Sequence, residues 1–323
     1  MAKTLWVLLD NRRGSVGQAL GVVDALDKSL VTVVEKKIEY NNWAALPNFI
    51  RGRTLIGLTE QSKQTIREPF PDMVLSISRR TVPVARYIKK MSPKTKLIQL
   101  MHPGEIGIED FSLIIVPEHD RHKRQLPTMK YIVGCPHRIT PEYLAPAKAK
   151  WQAKFADLPH PITALIVGGA IKGKPFSLAN ANALVKSVQV LKRNMGGSLL
   201  ITTSRRTGHE AQNSIIQGLY SIPQYTYLWG DTGDNPYAGF LACADNIIVT
   251  GDSVSMCCEA TGTGKPVYIF IGSNWLTPKH YRFVESLCES GCAALIDDKR
   301  MELFRPEKQI NAAKEVARLI EKL

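Results

Sequence analysis

The sequence predicts an α/β protein of two Rossmann-like domains, each a parallel sheet covered by helices. Three observations carry this. The length of 323 residues exceeds one ordinary core and suits two domains of roughly 150 residues each. A short apolar run rich in β-branched residues, a loop and an amphipathic helix recur along the chain, which is the rhythm of parallel strands joined by crossover helices. Pro159-His160-Pro161 places proline on both sides of one residue and interrupts that rhythm, which then restarts. The expected division is a domain over 1–158, a domain over 159–305, and a terminal helical segment over 306–323 that packs back toward the first domain.

In the first half, Thr4–Leu9, Leu30–Lys36, Met73–Ser76, Lys96–Leu100, Ser112–Val116 and Tyr131–Val133 read as strands. Helices are expected at Gly17–Leu26, around Thr59–Arg67 and at Val84–Met91, the last bounded by Pro83 and Pro93. Thr140 to Leu158 is a polar, Ala- and Lys-rich helical stretch leading to the boundary. In the second half, strands fit Thr163–Val167, Ser198–Thr203, Thr226–Leu228, Asn246–Thr250 and Pro266–Phe270. Helices fit Ser177–Asn194, Glu210–Tyr220, Tyr237–Cys243, Ser255–Thr261 and Pro278–Ser290. Pro306 to Leu323 closes the chain with Ile310, Ala313, Val316 and Ile320 on one helical face.

Hydrophobic residues at 44% and charged residues at 22% are ordinary for a folded protein. No run approaches the roughly 20 apolar residues of a membrane-spanning helix. The first ten residues hold one lysine and no small-residue cleavage site, so they read as a strand and not as a signal peptide. A cytoplasmic location is expected, with peripheral contact to the inner face of the membrane. The six cysteines form no CxxC pair and read as reduced small hydrophobes. The net charge is +13, and residues 1–160 hold 25 Lys and Arg against 15 Asp and Glu, a net of +10. The N-terminal half therefore calls for an anionic partner: an acidic substrate, a membrane surface or a nucleic acid. The last has neither recognition motif nor aromatic platform to support it. The run Trp43–Leu58 mixes Trp43, Leu46, Phe49 and Ile50 with Arg51 and Arg53; such a run either rests on a membrane surface or packs on the sheet.

Three loops of the second half follow strands, at the sheet edge where open α/β folds bind ligands. The first is Gly168-Gly169-Ala170-Ile171-Lys172-Gly173-Lys174. Glycine lets backbone N–H groups approach a phosphate, the following helix start favours an anion, and Lys172 and Lys174 add charge. The loop is neither a dinucleotide fingerprint nor a Walker loop, and a plain strand-to-helix turn has the same look. The second, Ser204-Arg205-Arg206-Thr207, combines two guanidinium forks with hydroxyls as a diphosphate clamp, although Thr207 also suits a helix cap. The third runs from Thr250 to Val267. Gly251, Asp252, Ser253 and Ser255 form a small polar turn with room for a sugar diphosphate. One acid, Glu259, follows on a short helix that stops at Gly262-Thr263-Gly264-Lys265-Pro266. A carboxylate there can accept from both ribose hydroxyls of a nucleotide; the bland alternative is a surface glutamate.

The N-terminal half offers Asp10-Asn11-Arg12-Arg13-Gly14-Ser15-Val16-Gly17, again a glycine-bearing turn into a helix. Arg12, Arg13, Gly14 and Gly17 are expected on an acceptor side. Arg79 and Arg80, after the third strand, suit an anionic acceptor. His102 and Glu105, after the fourth, join Asp10 as candidate general bases. Glu118-His119-Asp120-Arg121-His122 lacks metal-site spacing, no Asp-x-Asp pair occurs, and no metal site is expected.

Glu259 stands seven residues before Pro266, and with Gly264-Lys265 it resembles the donor-nucleotide motif of GT-B glycosyltransferases. The motif is similar to that of the lipid-linked N-acetylglucosaminyl transferase of cell-wall synthesis. It is also similar to that of the non-hydrolysing UDP-N-acetylglucosamine 2-epimerases, which share the Asp252-Ser253 pair. The resemblance implies a GT-B fold with sheets facing a central cleft, ribose on Glu259 and diphosphate at Gly168-Gly169. Over nearly the full length, Asp10-Asn11-Arg12-Arg13-Gly14, Gly168-Gly169, Ser204-Arg205-Arg206-Thr207 and Asp252-Ser253-Val254-Ser255 together resemble the mitochondrial fission family named for an elongated-mitochondria plant protein. Its bacterial members are labelled nucleoside-diphosphate-sugar epimerases. Many GT-B proteins carry a catalytic histidine or acid in the first loop, where this chain has only Asp10. The resulting expectation is metal-independent transfer from a nucleotide sugar to a phosphorylated or lipid-linked acceptor. Lys172, Arg205, Arg206 and helix N-termini would neutralise the leaving diphosphate, closure about Pro159–Pro161 would expel water, and no cofactor beyond the nucleotide-sugar substrate is needed. An epimerase on the same fold needs acids on both faces of the sugar. A non-catalytic, membrane-associated interaction protein fits the missing loop histidine.

Overall fold

The computed structural model describes residues 2–296 and 304–323, with the Arg13 side chain outside that description. The chain forms two compact units, Met1–Arg138 with Asn311–Leu323, and Ile139–Ile310.

The first unit contains strands β1 (Lys3–Leu9), β2 (Val31–Lys37), β3 (Met73–Ile77), β4 (Lys96–Leu100), β5 (Phe111–Pro117) and β6 (Met129–Ile132). Its helices are α1 (Arg13–Ala25), α2 (Asn48–Arg51), α3 (Glu60–Thr65) and α4 (Ser78–Met91). The strands pair in parallel in the order β2-β1-β3-β4-β5-β6. Side-chain alternation assigns each strand's residues to two cores. Leu5, Val7 and Leu9 of β1 meet Ala19 and Val22 of α1; Trp6 and Leu8 meet Val84, Ala85 and Ile88 of α4. Helix α4 begins at Ser78, directly after β3, and not at Val84 as the proline suggested. Pro83 lies inside it and has no N–H to give the Arg79 carbonyl four residues back. Asn48 Nδ2 supplies that bond instead, at 2.7 Å, which pins α2 against the first turn of α4.

The second unit contains α5 (Pro141–Trp151), β7 (Ile162–Val167), α6 (Leu178–Met195), β8 (Ser198–Thr203), α7 (His209–Gly218), β9 (Gln224–Tyr227), α8 (Tyr237–Cys243), β10 (Asn246–Thr250), α9 (Val254–Thr261), β11 (Val267–Phe270), α10 (Pro278–Glu289) and β12 (Ala294–Leu295). Its sheet is also parallel, in the order β12-β11-β10-β7-β8-β9. The two-residue β12 escaped the sequence reading because it is too short to show a period.

The chain divides at Arg138/Ile139 and not at Pro159–Pro161. The reason lies in α5, whose polar composition hides aromatic anchors. Trp151 stacks on Phe155 at 5.9 Å, and Phe155 meets Tyr225 at 5.2 Å and Phe240 at 5.7 Å. A Cβ on Gly239 of α8 would come within 2.4 Å of the Trp151 ring. The Pro161 carbonyl accepts from Lys192 Nζ at 3.1 Å and from Ser198 N at 3.2 Å, so the proline pair sits inside the second unit. The last helix, α11 (Ala312–Glu321), starts later than Pro306, where the Asn311 side chain caps it. It returns to the first unit, burying Ala312, Val316, Ala317 and Ile320 in the core that holds α1. No helix among the described residues is long and apolar enough to cross a membrane.

Candidate functional site

In the second sheet, chain order reverses between β7 and β10, which are neighbours; the crevice beyond the carboxyl ends of such strands is where open parallel sheets take ligands. Asp252, 4% exposed, is the hub there. Its Oδ2 accepts from Gly169 N at 2.8 Å and pairs with Arg206 Nη2 at 3.0 Å. Its Oδ1 accepts from Thr250 Oγ1 at 2.7 Å, and that hydroxyl in turn accepts from Gly168 N at 2.7 Å. Burial pushes the Asp252 carboxyl up, opposed by the Thr250 and Gly169 hydrogen bonds and the Arg206 charge. The second loop closes the same network. Ser204 Oγ donates to the Gly168 carbonyl at 2.9 Å, and Thr207 Oγ1 donates to that carbonyl as well. Ala170 N donates to the Arg206 carbonyl at 2.8 Å, while Arg206 Nη1 donates to the Ala170 carbonyl at 2.9 Å.

This geometry corrects several expectations. The Gly168 and Gly169 N–H groups bind Thr250 and Asp252, so they do not face a diphosphate. The two glycines are required for space: a Cβ on Gly168 would lie 2.1 Å from the Asp252 carboxylate, and one on Gly169 would lie 2.0 Å from the Arg206 backbone. The Arg206 fork is occupied by Asp252 and Ala170, leaving exposed Arg205, Lys172 and Lys174 as the cations of these loops that are open to a ligand among the described residues. Ser204, Thr207 and Asp252 join the three loops together. Ser253 caps α9, its side chain accepting from Met256 N. Ser255 is half-buried in the first turn of α9.

Glu259 lies on the same helix, and its Oε2 accepts from the Tyr237 hydroxyl of α8 at 2.5 Å. Among the described residues its other oxygen has no hydrogen-bond partner. Burial pushes the Glu259 carboxyl up, and the Tyr237 hydrogen bond pulls it partly back. Burial and the Glu259 carboxylate drive the Tyr237 phenol well above its ordinary range, so it stays a donor. Lys265 of the Gly-Lys-Pro sequence donates to the carbonyls of Leu241 and Ala242 at 2.7 and 2.8 Å. It caps the end of α8 and so fixes the helix that carries Tyr237; burial lowers its pKa to about 8. His280, in the first turn of α10, adds an imidazole within 2.7 Å of Thr277 Oγ1. Burial, with Lys279, Lys172 and Arg206 nearby, holds its pKa below the ordinary histidine range. Neither Tyr237 nor His280 carries a sequence signal, since each is a single residue on a separate helix.

In the first unit the corresponding reversal lies between β1 and β3. Asp10, 5% exposed, accepts from Arg12 N at 3.0 Å and from Ser78 Oγ at 3.2 Å. It thus ties the two strand-end loops together, with Ser78 at a left-handed φ of 71°. Arg13 opens α1, followed by Gly14 and Gly17 in its first two turns; the Arg13 side chain is outside the described residues. Arg79 is exposed, and Arg80 stands 4.9 Å over the Tyr40 ring. His102 Nδ1 accepts from Gly104 N at 3.2 Å. The neutral ring therefore carries its proton on Nε2 and acts there as a donor, which argues against a base role at that atom. Burial and neighbouring His122 keep it below the ordinary histidine range. Glu105 faces Arg124 at 3.3 Å, His122 at 3.5 Å and His102 at 3.7 Å, so its oxygens are already engaged. The titratable 118–122 loop is thus engaged with the site, since His122 stacks on His102 with ring centroids 4.1 Å apart. Candidate ligand atoms of His102, Glu105 and His122 fall within 4.8 Å of one another, an approach that sequence spacing did not reveal. The near-parallel rings, at 18°, do not aim both lone pairs at one ion.

Comparison with known proteins agrees with this architecture. Residues 13–323 match the family model described as mitochondrial fission ELM1. The uncharacterized protein RP120 of Rickettsia prowazekii is 30% identical, with 98% of this chain and 97% of that protein covered. The mitochondrial fission protein ELM1 of Arabidopsis thaliana is 29% identical over 73% of this chain, which spans 59% of the plant protein. Among solved structures, the UDP-GlcNAc 2-epimerase of Neisseria meningitidis bound to UDP-GlcNAc superposes with a TM-score of 0.57 at 13% identity, covering 99% of this chain and 100% of that one. MurG of Acinetobacter baumannii gives 0.54 at 14% identity, with 99% and 100% covered. These likenesses establish the fold, which is the GT-B arrangement of two Rossmann-like sheets.

Proposed function

The chain belongs to the mitochondrial fission ELM1 family, and we propose that its second unit binds the nucleotide of a nucleotide sugar, with Glu259 accepting the ribose hydroxyls. The observation that carries this reading is the Tyr237–Glu259 pair. A half-buried carboxylate held by one hydroxyl, with its second oxygen unengaged among the described residues, is placed to accept from a ligand. Two ribose hydroxyls supply such donors. Exposed Lys172 and Arg205, with the first N–H groups of α9, suit the diphosphate. The nucleotide-sugar ligand of the Neisseria epimerase on the same fold supports the ligand class.

The reaction the site suits best is glycosyl transfer to a phosphorylated or lipid-linked acceptor. The anomeric carbon–oxygen bond to the diphosphate breaks, the acceptor oxygen bonds that carbon, and the acceptor proton passes to a base. Asp10 is the preferred base of the three candidates, because His102 enters as a donor and Glu105 is already engaged by Arg124, His122 and His102. Lys172 and Arg205 would stabilise the leaving diphosphate, and nothing beyond the nucleotide sugar is required as cofactor. Epimerisation is less favoured, since it needs acids on both faces of the sugar and Asp252 is turned into the loop network.

Calorimetric titration of a panel of nucleoside diphosphates and nucleotide sugars tests the binding half. Wild type should select one base, and Glu259→Gln should weaken that ligand about 10- to 100-fold, the value of about 1.5–3 kcal/mol for a hydrogen bond to a charged group. Equal affinity in both proteins would remove Glu259 from the site; no binding to any member would favour a non-catalytic interaction protein.

A further inference from the structure

We propose that the first unit binds a lipid phosphate, in a cavity of about 590 Å³ walled by α2, the start of α4 and the loop after β4. The charge at this cavity is one-sided. Arg51, Arg79 and Arg80 line it. Arg51 is 1% exposed, and carbonyls accept from it: Nε donates to Ile56 O at 3.0 Å and Nη2 to Arg80 O at 3.3 Å. None of the three arginines pairs with a carboxylate among the described residues. The single acid in the lining, Glu105, is already engaged by Arg124, His102 and His122. A buried guanidinium without an anion is costly, and the forks of Arg79 and Arg80, which hold no carboxylate among the described residues, match a phosphate bidentately.

The rim of the cavity has the opposite character. Phe49 and Ile106 line it and are 63% and 60% exposed, and Trp43 and Ile50 beside them are 65% and 53% exposed. Apolar side chains held in water around a cationic floor complement an amphiphile whose phosphate enters the cavity while its chains stay in the bilayer with the rim. A soluble phosphate or a phosphopeptide would need the arginines but not this rim. The wall is built by the chain itself: Pro83 frees the Arg79 carbonyl for Asn48, which seats α2 so that Phe49 and Arg51 point to the two regions. The proposal names the acceptor class of the reaction above and rests on that reading only for the word acceptor; the binding needs no nucleotide.

Flotation with vesicles of phosphatidylcholine, with and without phosphatidic acid, tests it. Wild type should float with the acidic vesicles and not with the neutral ones. Arg79→Gln/Arg80→Gln should reduce partitioning roughly tenfold or more, and Phe49→Ser/Ile106→Ser should reduce it at unchanged charge. The exposed pair Lys186→Gln/Arg193→Gln of the second unit removes the same charge and should change little. Arg51→Met is omitted from the primary set because its burial risks the fold; circular dichroism and thermal melts check the others. Three results would overturn the proposal. The control pair could weaken binding as much as the arginine pair, which is generic attraction. The rim pair could have no effect, with inorganic phosphate competing fully, which points to a soluble phosphate. Wild type could ignore acidic vesicles altogether. None of these depends on nucleotide binding, so the donor-site reading stands or falls separately.

Discussion

Asp252 and Glu259 are seven residues apart and have opposite roles. Asp252 turns inward, and each of its oxygens is engaged by the protein. Glu259 has one hydroxyl partner and one open oxygen. The sequence made Glu259 legible through its spacing to Pro266, but not Tyr237, which lies 22 residues away on another helix. The same limit hid the true role of Asp252, whose partner Gly169 is 83 residues distant. The pair carries a pH signature. Burial raises the Glu259 carboxyl, and ribose hydroxyls donate best to the ionised form. Nucleotide affinity should therefore rise with pH through the raised value. In Tyr237→Phe, loss of the stabilising donor moves that rise to still higher pH. Stability has the opposite sign: the raised carboxyl stabilises the fold below the ordinary carboxylate range, and this is lost as pH rises through the folded value. Calorimetry across pH on both proteins measures the shift; an unchanged profile in Tyr237→Phe would remove the tyrosine from the account.

At the level of elements, the strands were readable because buried parallel strands are continuous apolar runs; Ile162–Val167 is buried at every position. Helix starts were harder to place. Pro83 marked no boundary, because Asn48 takes over the lost backbone bond. The three strand-end loops were found, but composition could not show that most of their polar groups bind one another. Gly169 measures how tightly they are joined. Gly169→Ala would place a Cβ 2.0 Å from the Arg206 backbone, and backbone cannot swing aside as a side chain can. The expected cost is about 3 kcal/mol, the upper part of the overpacking range. A thermal melt should show a clear fall in Tm for the second unit; an unchanged Tm would mean that the loops are not closely packed.

For the whole molecule, repetition of the strand–helix rhythm was enough to read two Rossmann-like sheets, and the motif around Glu259 was enough to read GT-B. The location of the division was not legible, because α5 looks solvated until Trp151 and Phe155 are seen against α8 and β9. The chain also crosses back: α11 buries Val316 and Ile320 completely in the first unit's core. Removing 311–323 should therefore destabilise the first unit and spare the second. Hydrogen exchange should speed up in β1, β3 and β4 while β7, β8 and β10 keep their protection; uniform loss of protection would show that the units do not fold as separate cores.

The most direct test of the nucleotide site pairs a change in the protein with a change in the ligand. The nucleoside diphosphate that wild type selects is titrated by calorimetry beside its 2′-deoxy analogue, into wild type and into Glu259→Gln. If Glu259 accepts the ribose hydroxyls, the deoxy analogue binds wild type at least about tenfold more weakly, and the two ligands become nearly equal in the variant. The same preference for the ribose form in both proteins would place the sugar elsewhere and contradict the account.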